Sequence, residues 1–135
     1  MALSAKKAAR ILRIREIEED IAKNDFFVAV SNYKKATEYA KEVGHSWMDA
    51  RQAQVPNRVL SYAAYFEARK NAQQRVQGSY MMVLKKREIL LQKAISRRSG
   101  EKLLEYAKEE AQTKEFKQEL SLLDEIGSRK KGGES

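Results

Sequence analysis

The 135-residue chain contains no cysteine, one proline and one histidine. Without cysteine it can form neither a disulfide nor a Cys/His zinc site. His45 has no catalytic or metal-binding partner that the sequence suggests, and neither a phosphate-binding glycine loop nor a nucleophile-elbow motif is present. We therefore expect a protein that is not an enzyme, with no cofactor, no metal and no small-molecule substrate.

Long apolar runs are also missing, so the sequence predicts neither a membrane span nor a secretory signal. The first fifteen residues carry five basic side chains and no acid. They are expected to begin a helix, because the same apolar spacing continues beyond them. The alternative is that residues 1–21 form a membrane-surface helix, so any membrane contact is expected to be peripheral.

Positive charge is concentrated in one part of the chain, which has a net charge of +8. Residues 57–100 hold ten Lys and Arg against two Asp and Glu, whereas residues 101–135 hold seven against nine. We call the densest positions the basic flank: Lys85, Lys86, Arg87, Lys93, Arg97 and Arg98. The excess favours an acidic partner. Nucleic acid is the less favoured partner, because these positions surround the helix without interleaved aromatic residues.

What the sequence has is helix-forming composition, with 34% charged and 42% hydrophobic residues and only six glycines. Helix one is predicted at about 4–47, a turn containing Pro56 at about 48–56, and helix two at about 57–127. The fold class is therefore all-α, an antiparallel two-helix coiled-coil hairpin whose second helix overhangs the first. Residues 1–128 form its single domain, followed by a disordered tail at 129–135.

The contact positions are predicted from apolar residues at steps of three and four. On helix one they include Ile14, Ile17, Ile21, Phe26, Val30 and Tyr33, with a five-residue step after Ile21 that predicts a stutter. On helix two they are Val59, Tyr62, Phe66, Arg69, Gln73, Val76, Tyr80, Val83, Arg87, Leu90 and Ala94. Gly100 is expected to be a soft point in helix two.

The length difference predicts an uncovered helix end. A turn at 48–56 pairs residue n with about residue 105 minus n, so helix one would cover helix two only to about Lys102. The remaining 25 or so residues would extend about 40 Å at 1.5 Å each. They carry an apolar stripe that a lone helix in water cannot bury, so this end should self-associate or be enclosed by another protein.

Three stretches resemble the FliJ family, the stalk proteins of flagellar type III export. The first is ILRIREIEEDIAKND near the start, and the last is KEFKQELSLLDEIGSRKK at 114–131. In the middle stretch, Tyr39 is followed by the turn and then by Asn57-Arg58 with nearby aromatic residues. The second tyrosine of some members is Val43 here, and a leucine one turn after the helix-two aromatic is Arg69. The YscO-type stalk proteins of virulence secretion are a related family, and the sequence does not distinguish the two secretion systems.

The resemblance implies a coiled coil similar to the central stalk of rotary ATPases. Its helix ends would enter a hexameric export ATPase, stimulate it and couple it to the cytoplasmic part of the export-gate membrane protein. Other export chaperones are further candidate partners. The implied location is the cytoplasm, at the cytoplasmic face of the inner membrane.

Two sets of site residues follow from the resemblance and the overhang. The ATPase-ring contact set is Arg10, Arg13, Lys102, Lys108, Lys114, Lys117, Leu120, Leu123, Asp124 and Glu125. The export-gate contact set is Ala36, Tyr39, Val43, Tyr65 and Ala72. For Tyr39 and Tyr65, packing between the helices is an equal alternative. A non-enzymatic coiled-coil adaptor or secretion chaperone, and a basic nucleic-acid-binding coiled coil, remain the alternative functions.

Overall fold

The chain folds as two α-helices, α1 (Ala5–Gln52) and α2 (Arg58–Gly133), which confirms the all-α prediction. The structure, a computed structural model, describes the backbone of residues 3–52 and 58–133 and the side chains of residues 3–45 and 62–128. Both helices are rich in Ala, Leu, Lys, Arg, Glu and Gln, which enter helices at low cost. The predicted turn residues Pro56 and Asn57 lie outside the described residues.

Both helices begin close to their predicted starts but extend beyond their predicted C-terminal ends. Ser4 caps α1, because its Oγ accepts a hydrogen bond from the backbone N–H of Lys7 at 3.2 Å. Helix α1 continues to Gln52, so residues 48–52 are helical rather than part of the turn. Helix α2 continues to Gly133, so residues 129–133 are helical rather than a disordered tail. Arg129, Lys130 and Lys131 fall in this extension, and cationic residues near a helix C-terminus favour the helix through its dipole.

The chain divides into two compact units, one of residues 19–93 and one of residues 1–18 with 94–135. In the first of these, α1 and α2 pack antiparallel. The rings of Tyr33 and Tyr80 stand 5.8 Å apart, and the Arg75 guanidinium lies 5.6 Å above the Tyr39 ring. A higher number on α1 therefore meets a lower number on α2, and contacting residue numbers add up to about 113.

The buried residues of this unit are mostly alanines. On α1 the inward positions follow steps of three and four without interruption: Glu19, Ala22, Phe26, Ala29, Tyr33, Ala36, Ala40 and Val43. On α2 they are Tyr65, Ala68, Ala72, Val76, Ser79, Val83, Lys86, Leu90 and Lys93. We call these inward positions the seam. Ala22, Ala29, Ala36 and Ala72 are at most 4% exposed, and small residues every seventh position let two helices lie close together.

The predicted contact face of α1 is therefore wrong over its first half. Ile14, Ile17 and Ile21 are 56%, 48% and 56% exposed, and they lie roughly opposite the seam. The stutter predicted after Ile21 is absent, because the seam passes through Ala22 instead. On α2, Val76, Val83 and Leu90 are seam residues as predicted. Other predicted contact positions, such as Phe66 and Tyr80, are one residue away from a seam position and are exposed.

Three charged residues occupy seam positions: Glu19 on α1, and Lys86 and Lys93 on α2. The two lysines are half-buried, whereas Glu19 is buried. Its side chain is 8% exposed, and a carboxylate oxygen stands 3.4 Å from Nζ of Lys23 one turn later. The register of this unit places the turn of α2 that contains Lys93 opposite it. A charged group at a seam position costs stability but favours one alignment of the two helices over others.

In the unit of residues 1–18 and 94–135 the helices also pack antiparallel. Arg15 donates a hydrogen bond from its guanidinium to the carbonyl oxygen of Ser96 at 3.0 Å. A β-carbon placed on Gly100 would lie 3.2 Å from Cδ of Arg15 and 3.5 Å from Cα of Leu12. Gly100 is therefore a site of close backbone approach and not a soft point, and α2 passes through it without a break.

The register in this unit moves the end of helix coverage. Leu12 lies opposite Gly100, so the numbers of facing residues add up to 112, whereas the predicted sum was 105. The sum is larger because α1 ends at Gln52 and not near residue 47. The first turn of α1 lies beside Tyr106, Ala107 and Ala111, and Ala107 is only 6% exposed. Coverage of α2 therefore ends near Ala111 rather than at Lys102.

The small seam residues can be tested at Ala29. We expect Ala29→Leu to lower the free energy of unfolding by about 1–3 kcal/mol, because a larger side chain must separate the helices. Val28→Leu at the neighbouring exposed position should change it by less than about 0.5 kcal/mol. Urea unfolding followed by circular dichroism measures both. Equal effects of the two substitutions would show that Ala29 is not in the contact.

A second test compares two glycines of α2. A β-carbon added to Gly78 would point into open space, whereas one added to Gly100 would face Leu12 and Arg15. Gly78→Leu should stabilise the protein by up to about 1 kcal/mol, because leucine favours a helix more than glycine does. Gly100→Leu should destabilise it, because the backbone of Leu12 cannot yield. A rise in the urea midpoint for both variants would contradict the close approach.

Candidate functional site

The part of α2 beyond Ala111 is the candidate functional site, and we call residues 112–133 the overhang. All of residues 108–128 are exposed, which sets them apart from the seam residues just before them. At 1.5 Å per residue the overhang extends about 33 Å. The predicted uncovered end thus exists, although it begins about nine residues later than Lys102.

The overhang carries an apolar stripe formed by Phe116, Leu120 and Leu123, spaced four and three residues apart. These side chains are 60%, 46% and 63% exposed, and Ile126 adjoins them on one side. Helical surfaces with this spacing normally pack against another helix or protein. The stripe therefore has the character of a binding surface.

The stripe does not continue the seam. Continued at steps of three and four, the seam would pass from Ala111 through Lys114, Gln118, Ser121 and Glu125, all polar. Phe116, Leu120 and Leu123 lie on roughly the opposite side of the helix, given 3.6 residues per turn. A longer α1 would therefore meet mainly polar side chains here, with Leu122 at the edge of that face. The apolar stripe suits a partner that approaches from the other side.

Charged residues of both signs flank the stripe. Lys117, Glu119 and Asp124 lie beside it and are all exposed. Such mixed charge keeps an unpaired helix soluble and gives it charged positions beside an apolar contact, which set partner choice and orientation in coiled coils.

All residues of the predicted ring contact set lie in the same unit, spread along α1 and α2. Arg10, Arg13 and the helix-two members from Lys102 to Glu125 are all exposed there. Of these, Lys102 and Lys108 lie on the covered part of α2, and the remaining helix-two members lie on the overhang. Their accessibility is compatible with a contact, and their partner stays a prediction.

The predicted gate contact set is divided between the interior and the surface. Ala36 and Ala72 are 1% and 2% exposed in the seam, so a partner that docks on the paired helices does not reach them. Val43 and Tyr65 are half-buried. Tyr39 is 43% exposed and holds the Arg75 guanidinium against its ring. Packing between the helices accounts for the two alanines.

The basic flank is not a uniform charged surface. Lys85, Arg87 and Arg98 are exposed, whereas Lys86, Lys93 and Arg97 are half-buried. Arg97 also donates a hydrogen bond to Oε1 of Glu101 at 2.6 Å. Part of this charge therefore serves contacts within the protein.

Sequence reasoning missed two accessible features. Tyr62 and Phe66, placed in the predicted contact, are 53% and 56% exposed and stand with their rings 5.8 Å apart on the surface. Ile14 and Ile17 are exposed as well. The signal that would have located the true seam is the recurrence of alanine at Ala22, Ala29 and Ala36.

Neither a metal centre nor a bilayer span is found among the described residues. In that part of the chain no group of three or more His, Cys, Asp or Glu side chains is placed to hold a metal ion. The described stretches of α1 and α2 include none that combines the length and hydropathy of a bilayer span.

Comparison of the chain with models of protein families, with curated proteins and with solved structures finds no match in any of the three. The likeness to the FliJ family therefore rests on the three stretches quoted above.

If no residue of the hairpin packs against the stripe, replacing the apolar side chains of the stripe should leave folding intact. We expect Phe116→Gln, Leu120→Gln and Leu123→Gln each to change the free energy of unfolding by less than about 0.5 kcal/mol at low protein concentration. Leu104→Gln, at a half-buried position of α2 within the part that α1 covers, should lower it by about 2 kcal/mol or more. Urea unfolding curves compare the four variants. A large loss at Leu120 would place that residue inside the hairpin core.

Proposed function

We propose that this protein is a stalk-like coiled-coil component of a flagellar type III protein export apparatus. In this proposal the overhang inserts into a hexameric export ATPase and stimulates it, and the hairpin couples the ATPase to the export gate. The protein would act in the cytoplasm, at the cytoplasmic face of the inner membrane, and would meet other export chaperones there.

The observation that carries the proposal is the overhang itself. A single helix of about 33 Å with an apolar stripe and mixed charge has the length and surface to enter a protein ring. Helices of this kind gain most of their stability from packing an apolar face, so an enclosing partner supplies what α1 does not. The likeness of residues 114–131 to the end of the FliJ family lies in this same segment.

The proposed gate contact is supported by fewer residues. Tyr39, Val43 and Tyr65 remain partly accessible, and Tyr62 and Phe66 add an exposed aromatic pair in the same unit. We therefore place the gate contact on these accessible side chains rather than on Ala36 and Ala72. Tyrosine and other aromatic residues are frequent anchors in protein interfaces.

A coiled-coil adaptor or secretion chaperone is the second candidate. Ile14 and Ile17 favour it, because they form an exposed apolar strip on the side of α1 away from the seam. An adaptor would use this strip to bind a helix of another protein. Nucleic-acid binding has less support, since three of the six residues of the basic flank are half-buried.

The test measures stimulation of ATP hydrolysis by the hexameric export ATPase of the same organism. The full-length triple variant Phe116→Gln, Leu120→Gln, Leu123→Gln should lose most of the stimulation while its circular dichroism remains that of the wild type. The matched variant Ile14→Gln, Ile17→Gln, which removes apolar surface from α1, should stimulate normally.

Full stimulation by the triple variant would contradict the stalk proposal. Loss of stimulation in the Ile14 and Ile17 variant alone would favour the adaptor. Since both variants change exposed side chains, neither result can be attributed to unfolding once the spectra agree.

A further inference from the structure

We infer that the overhang also binds a second copy of this chain, as an antiparallel helix pair centred on Leu120. The inference does not depend on the proposed function, although it uses the same surface. It rests on three observations: the exposure of every residue from 108 to 128, the position of the apolar stripe away from the seam, and the charges beside that stripe.

The apolar stripe is nearly symmetric about its centre. In an antiparallel pair, Leu120 would meet Leu120 of the second copy, and Phe116 would meet Leu123 of the second copy on either side. Three layers of large apolar side chains then leave water together. Such alternating contacts are the geometry of a coiled coil, in which residues at steps of three and four fill the spaces of the facing helix.

The charges beside the stripe favour this antiparallel orientation. Lys117 and Asp124 lie on one flank of the stripe and Glu119 lies on the other. Antiparallel pairing sets Lys117 against Asp124 of the second copy, and this attractive pair occurs twice by symmetry. It sets Glu119 against Glu119 of the second copy once, so two attractive pairs oppose one repulsive pair.

Parallel pairing has the opposite balance. It would set Glu119 against Asp124 of the second copy twice, and Lys117 against an uncharged glutamine, Gln112. Flanking charges of this kind set both partner choice and orientation in coiled coils. The sequence of the overhang therefore selects an antiparallel second copy.

Self-pairing would have a consequence for a ring-binding protein. The stripe that packs against a second copy cannot at the same time contact another protein. A free dimer would then have to dissociate before its overhang could enter a ring, so the concentration of the protein would limit its availability.

The experiment is sedimentation equilibrium of the full-length protein alone, at low ionic strength, across micromolar to sub-millimolar concentrations. The wild type should form dimers. Lys117→Glu and Asp124→Lys should each weaken the dimer by about tenfold or more, since each turns two attractive pairs into repulsive ones. Gln118→Glu, on the side away from the stripe, should have little effect.

The decisive sample is an equimolar mixture of the Lys117→Glu and Asp124→Lys proteins. In an antiparallel mixed pair the two substituted side chains would face each other with opposite charges. The unchanged Asp124 of one copy would likewise face the unchanged Lys117 of the other, so association should return towards the wild-type strength. A monomeric wild type, reversals without effect, or a mixture that stays dissociated would each overturn the inference. No ATPase is present, so these results are independent of the stimulation measurement.

Discussion

The close approach of two helices at small side chains is the contact on which the rest of the structure depends. Ala22, Ala29, Ala36 and Ala72 are buried at this contact in one unit, and Gly100 and Ala107 in the other. Because so little side-chain volume separates the helices, their alignment is closely specified. The alignment in turn decides which residue of α2 is the last to be covered by α1.

Much of the fold follows from composition and spacing. The scarcity of glycine and proline, together with Pro56 between two helical stretches, predicts two helices with the longer one second. Val76, Val83 and Leu90 are assigned to the contact on α2 from their spacing alone. These features depend on local helix propensity and on the spacing of apolar residues, both of which a single sequence shows directly. At Val76, Val83 and Leu90 the apolar residues also lie in the contact.

The face of α1 and the register could not be predicted in this way. Ile14, Ile17 and Ile21 have the same helical spacing as the buried positions, and each is more hydrophobic than alanine. A search for apolar stripes therefore selects the isoleucines. The helices instead meet where their backbones can approach, which depends on both surfaces at once.

The predicted register was wrong by about seven residues because the last residues of α1 continue the helix to Gln52 without an apolar pattern. Of the candidate site, the existence of an apolar overhang was predictable, whereas its starting point depended on the register.

In the unit that carries the overhang, residue n of α1 lies opposite about residue 112 minus n of α2, and the extent of the overhang depends on this register. The protein has no cysteine, so a disulfide scan on a clean background tests this register most directly. We predict that Ala8→Cys cross-links with Leu104→Cys on mild oxidation and does not cross-link with Arg97→Cys. Efficient cross-linking with Arg97→Cys instead would contradict this register, because α1 would then leave α2 uncovered from about Lys102.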